Sequence, residues 1–248
     1  MGIEDILYNL GELVYSAGEK VRDFILPRPS ERTPSFNFLR KLVKRDLTPH
    51  EYLSLKLQLL LLGYLALNLI VLLLRASLLW LVLFGIGYFM EVRYIFQKYA
   101  SFFLDVAPYK VFYYGIGALS FVAFVGYAIF RQFTTVVAYY YGYLIVVFVG
   151  VLIFRWYFKQ RFGRDYTYGI VEEVKNDLVR VFVHDDIAAN VKPGYYWVER
   201  VQDAEPGRVV KLLLEDRKLR GAVPSRILEV YLEDQSSQTS SEPKNESE

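Results

Sequence analysis

The sequence predicts a membrane α-helical protein with four transmembrane helices in two hairpins, followed by a small carboxyl-terminal all-β barrel of SH3-like or OB-like type. Three observations carry that expectation. Residues 57–90 are almost unbroken apolar side chains, and a second apolar stretch runs from 111 to 157. After Arg164 the apolar period changes from helical to alternating. The composition agrees: 54% of the 248 residues are apolar while 23% are charged, so one chain serves two solvents.

At the amino terminus Ile3, Ile6, Leu7, Leu10, Leu13, Val14, Val21, Phe24 and Ile25 recur at helical spacing, and Pro27 and Pro29 stop the pattern. An amphipathic helix is expected within residues 1–27. Its polar face is acidic, with Glu4, Asp5, Glu12, Glu19 and Asp23 against Lys20 and Arg22. Anionic lipid does not attract such a face, so a protein surface is expected to cover the apolar side, either the protein's own bundle or a second subunit in a homo-oligomer. The opening Met1-Gly2-Ile3-Glu4-Asp5-Ile6 carries neither a signal-peptide pattern nor a myristoylation site.

Residues 28–48 form a basic juxtamembrane segment. Arg40, Lys41, Lys44 and Arg45 flank apolar residues at helical spacing, which places them at the lipid headgroups, where each charge is worth about 1 kcal/mol on an anionic surface.

Residues 57–90 as one helix would reach about 51 Å, against a hydrocarbon core of about 30 Å. The chain must fold back, and Arg75-Ala76-Ser77 is the interruption. A charge there costs about 2.5–3.5 kcal/mol at mid-bilayer and little at the water interface. Thr48-Pro49-His50-Glu51 has the residue order of a capping box with Pro in the first turn. The spans are therefore set at about 49–74, 78–96, 111–130 and 135–157, a transmembrane domain of residues 49–158. Near the spans, 12 Lys and Arg fall on the side of the termini and only Arg75 and Arg131 on the other. The positive-inside rule then puts both termini in the cytoplasm of a multi-pass cell-membrane protein.

Ionisable groups are nearly absent inside the spans. Tyr64, Asn68 and Arg75 lie within about 40° of one another on a helical wheel, so a polar stripe is expected to face the other helices. It serves as an interhelical hydrogen bond or as an outward-opening solute or headgroup pocket. In span four Ala138, Gly142, Val146 and Gly150 recur at four-residue steps, a ridge expected to pack closely on another helix. Tyr139, Tyr140, Tyr141 and Tyr143, with Trp80 and Trp156, fit interfacial aromatic belts.

A cytoplasmic β-module is expected over residues 165–233, with strands near 168–174, 178–184, 195–201, 208–214, 218–223 and 227–232. Asn176-Asp177, Lys192-Pro193-Gly194 and Pro206-Gly207 punctuate them as turns. Closure of five or six short strands into a barrel would remove exposed edges. The stretch Lys218-Leu219-Arg220-Gly221-Ala222-Val223-Pro224-Ser225-Arg226-Ile227-Leu228-Glu229-Val230 resembles the end of SH3 domains, where a Gly precedes a Pro-containing turn and a last apolar strand. The peptide-binding tyrosines of SH3 domains have no counterpart here. The whole layout is similar to an uncharacterised family of predicted membrane proteins found mainly in archaea, a domain of unknown function that brings no residue roles with it. Scarce labile residues, with two Met, six Asn, seven Gln and no Cys, match a pattern reported for hyperthermophiles.

The module holds 10 Lys and Arg against 14 Asp and Glu over residues 165–234, so nucleic acid is not an expected partner. His184-Asp185-Asp186 is the single cluster with catalytic residue types, and a strand end followed by an Asp-rich turn accounts for it. Tyr195, Tyr196 and Trp197 must place rings on both faces of the barrel, and the outward ones are candidates to anchor a protein partner. Residues 234–248 lack apolar side chains and are expected to be a disordered tail.

The absence of cysteine excludes disulfides, thiolate nucleophiles and Cys-bearing zinc sites. The GxxxxGK[ST], HExxH and GxSxG motifs and a glycine-rich dinucleotide turn are also missing. No catalytic residue, metal or cofactor is expected. The leading expectation is a non-enzymatic membrane anchor or scaffold that sits in the lipid bilayer and displays a cytoplasmic barrel. The rival is a small channel or transporter subunit using the polar stripe of span one. A third is a membrane enzyme using lipid-level carboxylates such as Glu91.

Overall fold

The computed structural model describes residues 3–30, 48–103, 105–133, 136–217 and 221–231. They fall into two compact units, residues 1–156 and 157–248. The basic residues Arg40, Lys41, Lys44 and Arg45 and the tail 234–248 lie outside the described residues.

Among the described residues five α-helices follow one another: α1 (Ile3–Ile25), α2 (Pro49–Leu73), α3 (Leu78–Lys98), α4 (Val106–Phe133) and α5 (Val137–Phe162). The last four are each long and apolar enough to cross a bilayer. The capping box opens α2. The Thr48 hydroxyl accepts from the Glu51 N–H at 3.4 Å, and the Glu51 carboxylate accepts from the Thr48 N–H at 3.1 Å. The turn to α3 is a Schellman closure, in which the Arg75 N–H donates to the Leu72 carbonyl and the Ala76 N–H to that of Val71. Arg75 occupies the left-handed position with φ of 53°, where glycine is usual. This corrects the polar stripe. The helix ends at Leu73, so the wheel does not extend to Arg75, which stands exposed in the turn. A second arginine closes the helix end, since Arg131 Nη1 of α4 donates to the Leu72 carbonyl at 3.2 Å.

Helices α2, α3 and α4 interlock through rings and carbonyls. Tyr64 of α2 stacks on Tyr88 of α3 at 4.6 Å, and the Tyr88 hydroxyl donates to the Tyr113 carbonyl of α4 at 2.9 Å. Glycines make room for the aromatic side chains. A Cβ at Gly85 would sit 2.6 Å from Phe121, at Gly115 2.3 Å from Phe154, at Gly117 2.3 Å from Tyr88 and at Gly126 2.7 Å from Tyr143. Close packing therefore runs through rings seated on glycine, three of the four glycines belonging to α4.

The predicted ridge of α5 is corrected by the same contacts. Ala138 and Gly142 are exposed, and a Cβ at Gly142 would meet nothing within 4 Å. Gly150, half-buried, has Leu119 of α4 3.3 Å from its would-be Cβ. The side of α5 that touches α4 carries Tyr143 and Phe154, with the Tyr143 hydroxyl donating to the Ala123 carbonyl at 2.7 Å. The wheel identified the small residues, but large aromatic side chains make this contact. None of the most apolar window of α5 is buried inside the protein, so its apolar surface is left to lipid.

In the second unit, β1 (Tyr166–Lys175), β2 (Leu178–Val183), β3 (Gly194–Glu199), β4 (Val209–Arg217) and β5 (Gly221–Tyr231) form one antiparallel sheet in the order β3-β2-β1-β4-β5. The strands β4-β1-β2-β3 reproduce the Greek-key order, with β5 added beside β4. The sheet curls until Val191, just before β3, bridges Ala222 of β5 in parallel. That is the plan of a partly open five-stranded Greek-key barrel, the OB-like alternative. The two strands expected over 218–223 and 227–232 are one. Pro224 lies within β5, and the register with β4 slips there and again three residues later, leaving Ser225 and Leu228 as bulge residues. An edge strand tolerates proline because its missing N–H is not needed by a second neighbour. The SH3-like reading of this stretch required a turn at Pro224, and the strand runs through it. The core includes Val171, Val179, Val181, Val183, Val198, Val210 and Leu212.

Candidate functional site

The curled sheet has an outer face with an apolar row across all five strands, Tyr195, Phe182, Ile170, Val209 and Tyr231. Register sets it. Phe182 opposes Ile170 on one side and Tyr195 on the other, Arg180 opposes Trp197, Tyr168 opposes Lys211, and Val209 opposes Tyr231. Alternation turns these side chains outward while Val179, Val181 and Val198 turn inward. Solvent-facing sheet surfaces are ordinarily polar, and this one interleaves rings and aliphatic side chains with its charged ones.

Tyr195 is 52% exposed and Trp197 47%. Between them lies the Arg180 guanidinium, 5.2 Å from the Tyr195 ring centre and 5.9 Å from that of Trp197. Glu173 of β1 holds the same guanidinium at 3.1 Å. The cation is thus oriented by a carboxylate and stacked between two rings, and Tyr, Trp and Arg are the residues that most often dominate binding surfaces. Phe182 lies under Tyr195 at 5.1 Å and edge-on to His184 at 5.0 Å. A shallow groove borders this group, lined by Lys175, Asn176, Asp177, Leu178 and Trp197.

On the far side of the face, Lys211 stands 4.7 Å over the Tyr166 ring and 3.5 Å from Glu229. The Tyr231 hydroxyl donates to Glu229 at 2.9 Å. That bond, and then Lys211, hold the Glu229 carboxyl below the usual carboxylate range. Burial, followed by the adjacent Glu229, pushes the Tyr231 phenol above its ordinary value. These charges are paired along the sheet, so the face presents rings with locally neutralised ions.

Of the three aromatics expected to anchor a partner, Tyr195 and Trp197 are outward. Tyr196 is not. It packs against the core, its hydroxyl donates to the Lys192 carbonyl at 2.9 Å, and burial pushes its phenol up. Sequence reasoning missed Arg180, Phe182, Ile170, Tyr168 and Tyr231. Their alternation was present in the strands, but which strands are neighbours, and hence which side chains share a face, was not.

The His184-Asp185-Asp186 cluster has a structural use. The Asp186 carboxylate, 8% exposed, accepts from the Thr167 hydroxyl at 2.9 Å and from the Ala188 and Ala189 N–H groups, both at 3.1 Å. It also takes both of its bonds to Arg164 from one guanidinium nitrogen, at 3.2 and 3.1 Å. Arg164 lies between α5 and β1, so Asp186 clasps the chain where it leaves the helix. Lys159 in the last turn of α5 adds an exposed pair with Asp216 of β4 at 2.9 Å. Among the described residues no three His, Asp or Glu side chains come together to hold a metal ion.

In the first unit Tyr64 and Asn68 are buried, 4% and 0% exposed, and Asn68 donates to the Tyr64 carbonyl at 2.7 Å within its own helix. The Tyr64 hydroxyl and the Asn68 side-chain oxygen meet no hydrogen-bond partner among the described residues. A second polar group lies toward the start of α2, where His50 Nε2 and the Tyr109 hydroxyl are 3.3 Å apart and Glu51 and Ser54 are buried. Leu57, with no exposed surface, stands between the two groups along α2, about 10 Å from Tyr64 by helical rise. Val92 of α3 is equally buried. Glu91, the carboxylate of the enzyme reading, is paired with Lys56 at 2.7 Å.

No curated protein and no solved structure matches the chain. A family model does match, over residues 21–228, which takes in the four apolar helices and nearly all of the curled sheet. With that span covered and the two units built as described, the chain belongs to the family described as predicted membrane protein (DUF2101).

Proposed function

We propose that the protein is a non-enzymatic membrane anchor whose four helices hold the β-module in the cytoplasm, with the aromatic face of the sheet binding a protein partner. The observation that carries this reading is Arg180 stacked between Tyr195 and Trp197 on an apolar face. A cytoplasmic module follows from the excess of Lys and Arg beside the spans on the side of the termini. The cell membrane is its location, and the acidic balance of the module favours protein over nucleic acid. Arg40, Lys41, Lys44 and Arg45 serve the same orientation by contacting anionic headgroups. The rival channel or transporter reading draws on Tyr64 and Asn68, but the buried Leu57 separates the polar groups along α2, which supports the anchor.

Two measurements test the proposal. The full-length protein purified from native membranes is expected to bring down a partner that the Tyr195→Ala/Trp197→Ala variant loses by tenfold or more. Recovery of the same set by both forms would overturn the proposed surface. Thiols introduced at Ser77 and at Ser225 report the orientation, because the chain has no cysteine. An impermeant reagent added to intact cells is expected to label the first and spare the second, and the reverse result would overturn the cytoplasmic placement.

A further inference from the structure

The sheet of the second unit ends on β3 at one side and β5 at the other, and the two edges are protected unequally. Pro224 and two register slips break the regular spacing of β5. Strand β3 has neither device. It pairs with β2 without interruption from Gly194 to Glu199, and Glu199 is its one charged side chain. Among the described residues no strand is hydrogen-bonded along its other side, because the bridge from Val191 to Ala222 falls before β3 begins and is not continued along it. Natural sheets blunt an exposed edge with prolines, bulges or charges, since a regular one is a template for pairing with another chain.

Register shows which groups this edge offers. The Arg200 N–H donates to the Asp177 carbonyl at 2.9 Å, in line with the pairing of β2 and β3. Backbone groups alternate in direction along an antiparallel strand, so those of Val198 and Arg200 turn toward β2 and those of Trp197 and Glu199 toward the open side. A row of backbone donors and acceptors is complemented by an extended chain. A second copy of the same strand, related by a twofold axis and running antiparallel, supplies one.

Charge favours the second copy as that chain. Trp197 and Glu199 both place their side chains on the outer face, and Trp197 lies directly beside Arg180. Glu173 engages the Arg180 guanidinium through Nη1 at 3.1 Å, and the fork has further donors. Pairing centred on Val198 sets Trp197 opposite the partner subunit's Glu199, in the row that Arg180 occupies. Arg180 and that carboxylate residue are then about 10 Å apart between Cα atoms. Extended Arg and Glu side chains span that distance across the Trp197 ring, on which the guanidinium already stacks. The twofold axis repeats the contact for the other copy.

We infer that β3 is the self-association edge of the protein, pairing antiparallel with β3 of a second copy. The paired segment is short, but copies inserted in one bilayer share an orientation and a plane, which raises their effective concentration.

Energy transfer in liposomes tests this. The chain has no cysteine, so one introduced at Ser77, outside the sheet, carries donor or acceptor dye on the full-length protein, and transfer is followed as added lipid dilutes the copies. Glu199→Pro removes an N–H that the protein's own sheet does not use, and Glu199→Lys turns attraction to Arg180 into repulsion. Each is expected to weaken dimerisation tenfold or more, while hydrogen exchange of the β2 amides stays as slow as before. Dimerisation unchanged in Glu199→Lys with the sheet intact would overturn the pairing. So would transfer in the protein with its native β3 no greater than randomly placed copies give.

Discussion

Asp186→Ala should loosen the carboxyl-terminal sheet by about 3–5 kcal/mol, the range for removing one partner of a buried, hydrogen-bonded ion pair. Four groups each lose an acceptor at once: the Arg164 guanidinium, the Thr167 hydroxyl and the N–H groups of Ala188 and Ala189. Thr167 and Ala189 are nearly fully buried, so their donors do not find water easily. Arg164 is a quarter exposed, which tempers the electrostatic part. Asp186→Asn keeps an acceptor for the two N–H groups but loses the charge facing Arg164, and an intermediate loss is expected. Hydrogen exchange on the full-length protein in detergent reads the result. Amides of β1 and β2 should exchange about a hundredfold or more faster in the alanine variant, while those of α2 and α3 stay unchanged. Unchanged protection of the sheet would show that Asp186 is not the clasp.

The second large effect is expected inside the membrane. Gly117→Val places a branched side chain where even a Cβ would lie 2.3 Å from the Tyr88 ring. That ring has nowhere to go. It is 3% exposed, stacked on Tyr64, and tied by its hydroxyl to the Tyr113 carbonyl. Overpacking of a tight core costs about 1–3 kcal/mol, with the upper end expected where the displaced side chain also loses a hydrogen bond. Unfolding in bicelles should show that loss. Adding Tyr88→Ala, destabilising by itself, should recover part of it, since the cavity takes the new side chain. Simple additivity of the two changes would disprove the direct clash.

Both predictions concern residues that the sequence left without their partners, and the reason is the same. A glycine in an apolar helix and an aspartate at a strand end are legible as local events, but the Tyr88 ring and the Arg164 guanidinium come from elsewhere in the chain. The same limit explains the corrections. Arg75 shares a wheel position with Tyr64 and Asn68 only while the helix continues, and the Schellman turn ends it at Leu73. Ala138 and Gly142 read as a packing ridge because small residues permit close approach, yet permission is not contact, and α4 instead receives Tyr143 and Phe154. Pro224 reads as a turn, and an edge position with a bulge keeps it in the strand.

By itself the sequence determined most of what depends on neighbours along the chain. Hydropathy and length fixed four spans, because lipid leaves a backbone no alternative to internal hydrogen bonds. The Thr48 cap, the break at Arg75 and the change of period after Arg164 fixed where helices start, turn and give way to strands. Only the tertiary structure decided which faces meet. Strand order gathered Tyr195, Trp197 and Arg180 with Ile170 and Tyr231 on one surface, because register, and not period, selects the neighbours of a strand. Ring-on-glycine contacts set the helix packing, because a close-packed interior selects side chains by shape.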